Sequence, residues 1–288
     1  MWPSSRQSVW CLARLELPPA PRQAMLTLPH QLILDLAACL RFWSRLPVPA
    51  LPGEPEAHAM PDFGIATRML PLAGFVIALP AALVLALGLT LALPPMMAGA
   101  LAIATLALTT GGLHEDGLAD TVDGLGGGAS PARRLEIMKD SRIGSYGGLA
   151  LILSVLVRVA ALAAIAEQTA WLAVTALLAS AAVSRAAGLL PLILLPPARL
   201  DGAGRAAAAP QGDALWAMAG SAALIALLPM FAGASLGRVI VALIAAVFAA
   251  WLLVPLARKM IGGQTGDIAG AAQQMAEMAM LIVFSSAL

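Results

Sequence analysis

Residues 147–169 read GGLALILSVLVRVAALAAIAEQT, and Arg158 is the one charge between Gly147 and Ala166. Such a run matches the roughly 20 apolar residues that cross about 30 Å of hydrocarbon at about 1.5 Å per residue. Glu167, Gln168 and Thr169 interrupt it, and residues 171–196 are apolar again apart from Arg185. Two runs of this length, joined by a short polar break, read as a pair of membrane-crossing helices. In lipid a helix is favoured because every backbone polar group then finds its partner within the segment.

Further spans are expected near 69–93, 95–110, 214–233, 237–257 and 273–288, with Pro94 and Pro95 dividing the first two. The fold class is therefore all-α, a polytopic integral membrane protein of about six to seven transmembrane helices. The runs 95–110 and 273–288 are short, as a tilted, re-entrant or flank-extended helix would be. His30 to Leu46, HQLILDLAACLRFWSRL, is apolar but carries Asp35, Arg41 and Arg45. It is expected as an N-terminal helix lying in the interface, with Trp43 near the headgroups.

Composition agrees: 60% of the 288 residues are hydrophobic and 11% charged, against about half and about one-quarter in soluble domains. A formal charge of +1 offers no whole-protein field for nucleic acid, so none is expected as a partner. Cys11 and Cys39 stand alone, without CxxC spacing or a histidine pair, which argues against a disulfide or a zinc site. Residues 1–28 scatter arginines through a segment with no continuous apolar core, and so read as a variable extension rather than a signal peptide. Residues 29–288 are expected to form a single membrane-embedded domain.

Lys and Arg report sidedness. With these spans, fourteen of them fall on one side and only Arg238 on the other, while Arg158 and Arg185 lie within spans. The rich side should be cytoplasmic. It receives three polar connections, 111–146, 197–213 and 258–272, whereas the opposite connections are a few residues long. Chemistry is expected on that face.

The first connection opens with GGLHEDGLADTVDGLGGG at 111–128. Asp116, Asp120 and Asp123 are spaced i, i+4, i+7 and would share one helical face. Three carboxylates together repel one another unless a cation lies among them. Oxygen donors without a Cys or His pair suit Mg²⁺ before Zn²⁺, and Mg²⁺ usually completes its shell with water and substrate phosphates. A phosphoanhydride or phosphodiester substrate follows, and the glycines would let backbone N–H groups approach its phosphates. His114 could serve as a general base, a ligand or a helix-capping neighbour.

Downstream, RRLEIMKDSRIGSYGG at 133–148 places Lys139 and Arg142 around Asp140, cations suited to phosphate oxygens. Arg133 and Arg134 read as ordinary basic residues of a membrane edge. Arg158 and Arg185 are costly within spans; they either face a cleft for an anionic substrate or pair with Glu167 or helix-end carbonyls. GGQTGDIAG at 262–270 puts Asp267 on a Gly-rich turn, where it could bind a ribose hydroxyl, a base edge or a second cation.

These motifs resemble those of the cobalamin-5′-phosphate synthases, the adenosylcobinamide-GDP ribazoletransferases. The resemblance runs from about residue 31 to 280. LRFWSRLPVP (40–49, with Ser44 where Thr is usual), RMLPLAGFVIA (68–78), the acidic block with RRLEIMKDSRIGSYGGLAL, SRAAGLLPL (184–192), ARLDGAGRA (198–206) and IGGQTGDIAGA (261–271) follow in the family's order. The resemblance implies the last assembly step of the cobamide coenzyme in the bacterial inner membrane, with Mg²⁺. A hydroxyl of α-ribazole, or of its 5′-phosphate, attacks the cobinamide-side phosphorus of adenosylcobinamide-GDP and GMP leaves. On this assignment Asp116, Asp120 and Asp123 are metal ligands, and Glu115 a ligand, an orienter or, with His114, a candidate base. Lys139 and Arg142 contact phosphate, while Asp140, Arg158, Arg185 and Asp267 bind substrate. The size of a corrinoid also leaves a homo-oligomer or other partner open.

Three rivals differ in pattern. A CDP-alcohol phosphotransferase has an Arg shortly after DGxxA, where this chain has Asp120. A UbiA-like prenyltransferase has two separated Asp-rich motifs. The two Asp-rich motifs are not both present here; a transporter could use Arg158 and Arg185 to line a pathway, but no inverted repeat is visible and the polar residues favour one face over the midplane.

Overall fold

The computed structural model describes residues 28–54, 62–199, 209–210 and 212–286. The proposed 1–28 extension, except for Leu28, and most of the 197–213 connection lie outside the described residues. Helices account for nearly all of the rest. They are α1 (Leu28–Trp43), α2 (Leu70–Thr90), α3 (Pro95–Thr110), α4 (Leu113–Gly127), α5 (Pro131–Ile137), α6 (Ser145–Gln168), α7 (Ala170–Ala187), α8 (Asp213–Ile225), α9 (Leu236–Ile261) and α10 (Gly266–Ser285). Short helical turns lead into α2 and extend α7 and α8.

Six helical segments are long and apolar enough to cross a membrane, and a seventh arises if α3 and α4, bent by 90°, count as one. The expected all-α, multi-pass architecture is therefore what the chain adopts. Two boundaries differ from the sequence reading. The stretch 111–146 carries helices α4 and α5, and the last span begins at Gly266 instead of 273. Asp267 and the glycines at 266 and 270 lower the hydropathy ahead of residue 273, yet this stretch is helical and Ile268, Ala271 and Ala272 are buried, so hydropathy alone placed the boundary too late.

The segment Ala170–Leu194 forms the centre, with 78% of its apolar window buried. Small residues permit this: a Cβ on Gly74 of α2 would stand 2.7 Å from the Ala181 carbonyl oxygen of α7. Membrane helices gain packing energy from such close backbone approach, because lipid offers no hydrophobic drive between them.

Side-chain and backbone ties define two faces. On one, Arg134 Nη1 donates to the Met260 carbonyl (2.9 Å), Arg258 Nη2 to the Leu194 carbonyl (3.4 Å) and the Arg45 backbone N–H to the Thr109 carbonyl (2.7 Å). On the other, Arg238 donates to Gln168 Oε1 (3.0 Å) and to the Phe284 and Ser286 carbonyls, satisfying the end of α10. That is how the one cation of its face among the described residues is used. The acidic block belongs to the first face.

Candidate functional site

Two glycines set the site's direction. Gly111 and Gly112 both hold positive φ, +69° and +71°, a region open to glycine at little cost. They end α3 and start α4 at a right angle to it, so the acidic helix lies across the bundle end.

A third glycine sets the depth. A Cβ on Gly117 would come within 3.0 Å of the Asp267 carbonyl oxygen and 3.2 Å of Gly270 Cα, so α4 and α10 cross in backbone contact. This crossing puts Asp116 and Asp120 beside Asp267. Asp120 stands within electrostatic reach of Asp116, Asp267, Asp123 and Arg199.

The carboxylates have different occupations. Asp123 is buried, and both its oxygens accept backbone N–H groups at the start of α6: Gly144 at 2.7 Å and Gly147 at 2.9 Å. It satisfies donors that a helix start leaves unpaired. A Cβ at Gly144 or Gly147 would collide with that carboxylate. Asp267 accepts from Arg199 Nη2 at 3.2 Å. Arg199 is presented there because residues 196–198 zip against Gln264 through a parallel bridge. In contrast, no hydrogen bond or ion pair among the described residues engages the side chain of Asp116 or Asp120. Two carboxylates without protein partners, held side by side by a helix crossing, are available to a ligand.

Among the described residues, no group of three or more His, Cys, Asp or Glu side chains is arranged to hold a metal ion by itself. Asp116 and Asp120 nevertheless offer the donor chemistry of a Mg²⁺ site that uses one or two carboxylates and takes its remaining oxygens from water and substrate phosphate.

Beneath the acids lies a buried polar network. Arg158, 1% exposed, pairs with Glu115 (Nη1–Oε1 3.0 Å) and with Glu277 (Nη1–Oε1 3.4 Å). Gln273 Nε2 donates to Ser184 Oγ and Glu277 Oε2, both at 2.8 Å. Gln274 Nε2 donates to Glu115 Oε1 at 3.3 Å and its Oε1 accepts from Ser154 Oγ at 3.0 Å. The network joins α4, α6, α7 and α10, which a purely apolar interior could not fix in register. Arg158 thus serves α4 and α10 and lines neither of the hollows described next. Glu115 is tied into the network through one oxygen, and its Oε2 is buried without a partner.

Asp116, Phe42 and Leu113 form a wall shared by two hollows. One is a cavity of about 150 Å³ lined by Trp43, His114, Arg185, Leu189, Leu192 and Asp267, among others. The other is an open groove of about 620 Å³ lined by Ser44, Arg45, Gly111, Gly112, Glu115 and Ile143, among others. Arg185, 3% exposed, gives one donor to the Ala181 carbonyl at 2.7 Å and leaves its Nε unpartnered.

The structure therefore brings together His114, Asp116, Arg185 and Asp267 around the cavity and places Asp120 beside the acids. It does not join Asp140 and Arg142 to them. Arg142, 86% exposed, forks onto Asp140 at 2.6 Å, and that guanidinium holds the Asp140 carboxyl down to about 2. Lys139 sits exposed on the same loop. Sequence reasoning missed Gln273 and Gln274, although polar residues inside an apolar run were the available signal. It also gave no role to Arg199, although ARLDGAGRA (198–206) was among the segments that carry the resemblance.

Comparison with known proteins agrees across almost the whole described domain. The family model described as cobalamin-5-phosphate synthase matches residues 35–285. An Azorhizobium caulinodans protein named adenosylcobinamide-GDP ribazoletransferase is 48% identical over 252 residues, covering 88% of this chain and 95% of its own. Proteins of the same name from Xanthobacter autotrophicus and Bradyrhizobium diazoefficiens are 50% and 44% identical, covering 86% and 88% of this chain and 94% of each of their own. No solved structure matches.

Proposed function

The chain belongs to the cobalamin-5-phosphate synthase family, and on that premise we propose how its residues carry out the transfer. The protein is an adenosylcobinamide-GDP ribazoletransferase of cobalamin assembly. It moves the adenosylcobinamide-phosphate group onto α-ribazole, or α-ribazole 5′-phosphate, and releases GMP. The observation that carries the site assignment is the unpartnered pair Asp116 and Asp120 beside Asp267, with Asp116 on the wall between the two hollows.

Phosphoryl transfer asks little covalent chemistry of a protein; positioning and charge stabilisation dominate. Asp116 and Asp120 would hold Mg²⁺, with Asp267 closing the site from α10. Mg²⁺ bound there would neutralise the diphosphate and make its phosphorus easier to attack. His114, lining the cavity with Asp116, takes the proton of the attacking hydroxyl. Glu115 orients α4 through Arg158 and Gln274. Arg185 supplies hydrogen-bond donors to the acceptor in the cavity, and Lys139 meets the donor from the loop before α6. Asp123 serves this machinery from a distance, by fixing the start of α6 against α4.

The proposed location is the bacterial inner membrane, with the acidic face in the cytoplasm. The support is the concentration of Lys and Arg on that face, including Arg134, Lys139, Arg199 and Arg258, against Arg238 opposite.

The test is direct. The purified chain in liposomes, given adenosylcobinamide-GDP, α-ribazole and Mg²⁺, is expected to release GMP and a cobalamin product in equal amounts. Omitting α-ribazole should stop both. Absence of GMP from the complete mixture refutes the reading.

A further inference from the structure

In sequence, Arg45 stands among the basic residues before the first span and within the family-like segment LRFWSRLPVP (40–49), with no role given to it. In the structure it closes the groove side of the site. Its backbone N–H is pinned to the Thr109 carbonyl at 2.7 Å, beside the glycine break that launches α4. Its side chain lies across Gly111, so that even a Cβ there would stand 3.0 Å from the guanidinium carbon. Gly111 is thus required twice, for its positive φ and for the space that Arg45 occupies.

The guanidinium lines the groove with Ser44, Gly112, Glu115 and Asp116. No carboxylate pairs with it among the described residues, whereas Arg41, Arg68, Arg142, Arg158 and Arg199 all have acidic partners. A cation whose backbone is pinned and which has no acidic partner among the described residues, at the edge of an acidic site, has its donors left for an anion.

The two hollows differ in what they admit. The cavity of about 150 Å³ is walled by Phe42, Trp43, Leu189 and Leu192, and suits an apolar portion of the acceptor. The groove of about 620 Å³ is wider, more open and less apolar than the cavity, and has room for a nucleotide. Asp116 stands in both, so a phosphorus atom beside it can be approached from the cavity while its leaving group departs into the groove.

We infer that Arg45 binds the leaving nucleotide's phosphate, so that the nucleoside monophosphate occupies the groove and the acceptor occupies the cavity. This rests on the transferase reading above. In the step, the acceptor oxygen forms a bond to the cobinamide-side phosphorus as the bond from that phosphorus to the bridging oxygen breaks. The electron pair stays on the bridging oxygen, which becomes part of the GMP phosphate, and the hydroxyl proton passes to the base. Arg45 offsets the negative charge that accumulates on the departing phosphate. Arginine suits this better than lysine because its planar fork can grip two phosphate oxygens at once.

Product inhibition by GMP tests this without relying on turnover rate alone. Inhibition constants and both KM values are measured for wild type, Arg45→Gln and Arg45→Lys in liposomes. GMP inhibition is expected to weaken at least tenfold in Arg45→Gln and less in Arg45→Lys. Turnover should fall about a hundredfold in Arg45→Gln, the scale of losing one charge-stabilising donor, with the KM for α-ribazole unchanged. If both variants turn over and bind GMP as wild type does, or if the KM for α-ribazole rises instead, the assignment of Arg45 is overturned. If Arg45→Gln does not fold, Arg45→Lys decides the matter, since a wild-type GMP inhibition constant there also overturns it. A wild-type chain that releases no GMP would instead defeat the transferase reading itself.

Discussion

Replacing Asp116 or Asp120 by alanine lowers GMP release by about a thousandfold or more, the scale expected when an electrostatic centre for a transferring phosphoryl group is removed. The fold should survive. Neither side chain holds another part of the protein, and Asp116 is exposed at the bundle end. Removing one of a crowd of like charges even relieves repulsion within the set Asp116, Asp120, Asp123 and Asp267. The check is a pair of measurements on the same sample, turnover and thermal unfolding in detergent. Unimpaired turnover in either variant contradicts the site.

Arg158→Met should do the reverse, damaging the fold first. It leaves Glu115 and Glu277 facing each other in the interior, with Glu277 only 1% exposed. Stranding buried charge by deleting its partner costs about 3–5 kcal/mol, a large part of a typical folding free energy of about 5–15 kcal/mol. The unfolding transition of Arg158→Met is expected to fall clearly below wild type, and adding Glu277→Gln should restore part of the loss. An unchanged transition would mean that the buried ion pairs do not hold α4, α6 and α10 together.

The contrast between these variants shows what the sequence made legible. Long apolar runs such as 147–166 determine the architecture, because only a helix satisfies the backbone in lipid. The acidic block also announced itself, since acids are scarce elsewhere. Helical spacing, however, placed Asp123 with Asp116 and Asp120 on one face without distinguishing their uses. What separates them is the start of α6, twenty-odd residues later in the chain, which takes both oxygens of Asp123. The link from Asp267 to the block likewise depends on Gly117 meeting Gly270, a tertiary contact with no local signature. Arg142 looked on paper like a phosphate contact, yet it forks onto Asp140. Arg45 did the opposite: given no role from the sequence, it stands at the acids because the chain just after α1 is tied to Thr109 of α3.

The two-hollow layout also separates this chain from the rivals its composition allowed. A transport path would need its polar residues to face a passage through the bundle, whereas Arg158 is enclosed by Glu115, Glu277 and Ser154. The acids and both hollows lie together, at the end of the bundle where α3 stops and α10 begins.

The most direct test of the central claim uses Mn²⁺ in place of Mg²⁺, followed by electron paramagnetic resonance, with adenosylcobinamide-GDP present and α-ribazole withheld. Wild type is predicted to bind Mn²⁺ tightly only when the diphosphate is there, and Asp116→Asn and Asp120→Asn are predicted to lose that signal while Asp140→Asn keeps it. Equal Mn²⁺ binding by wild type and both variants would contradict a cation held by Asp116 and Asp120.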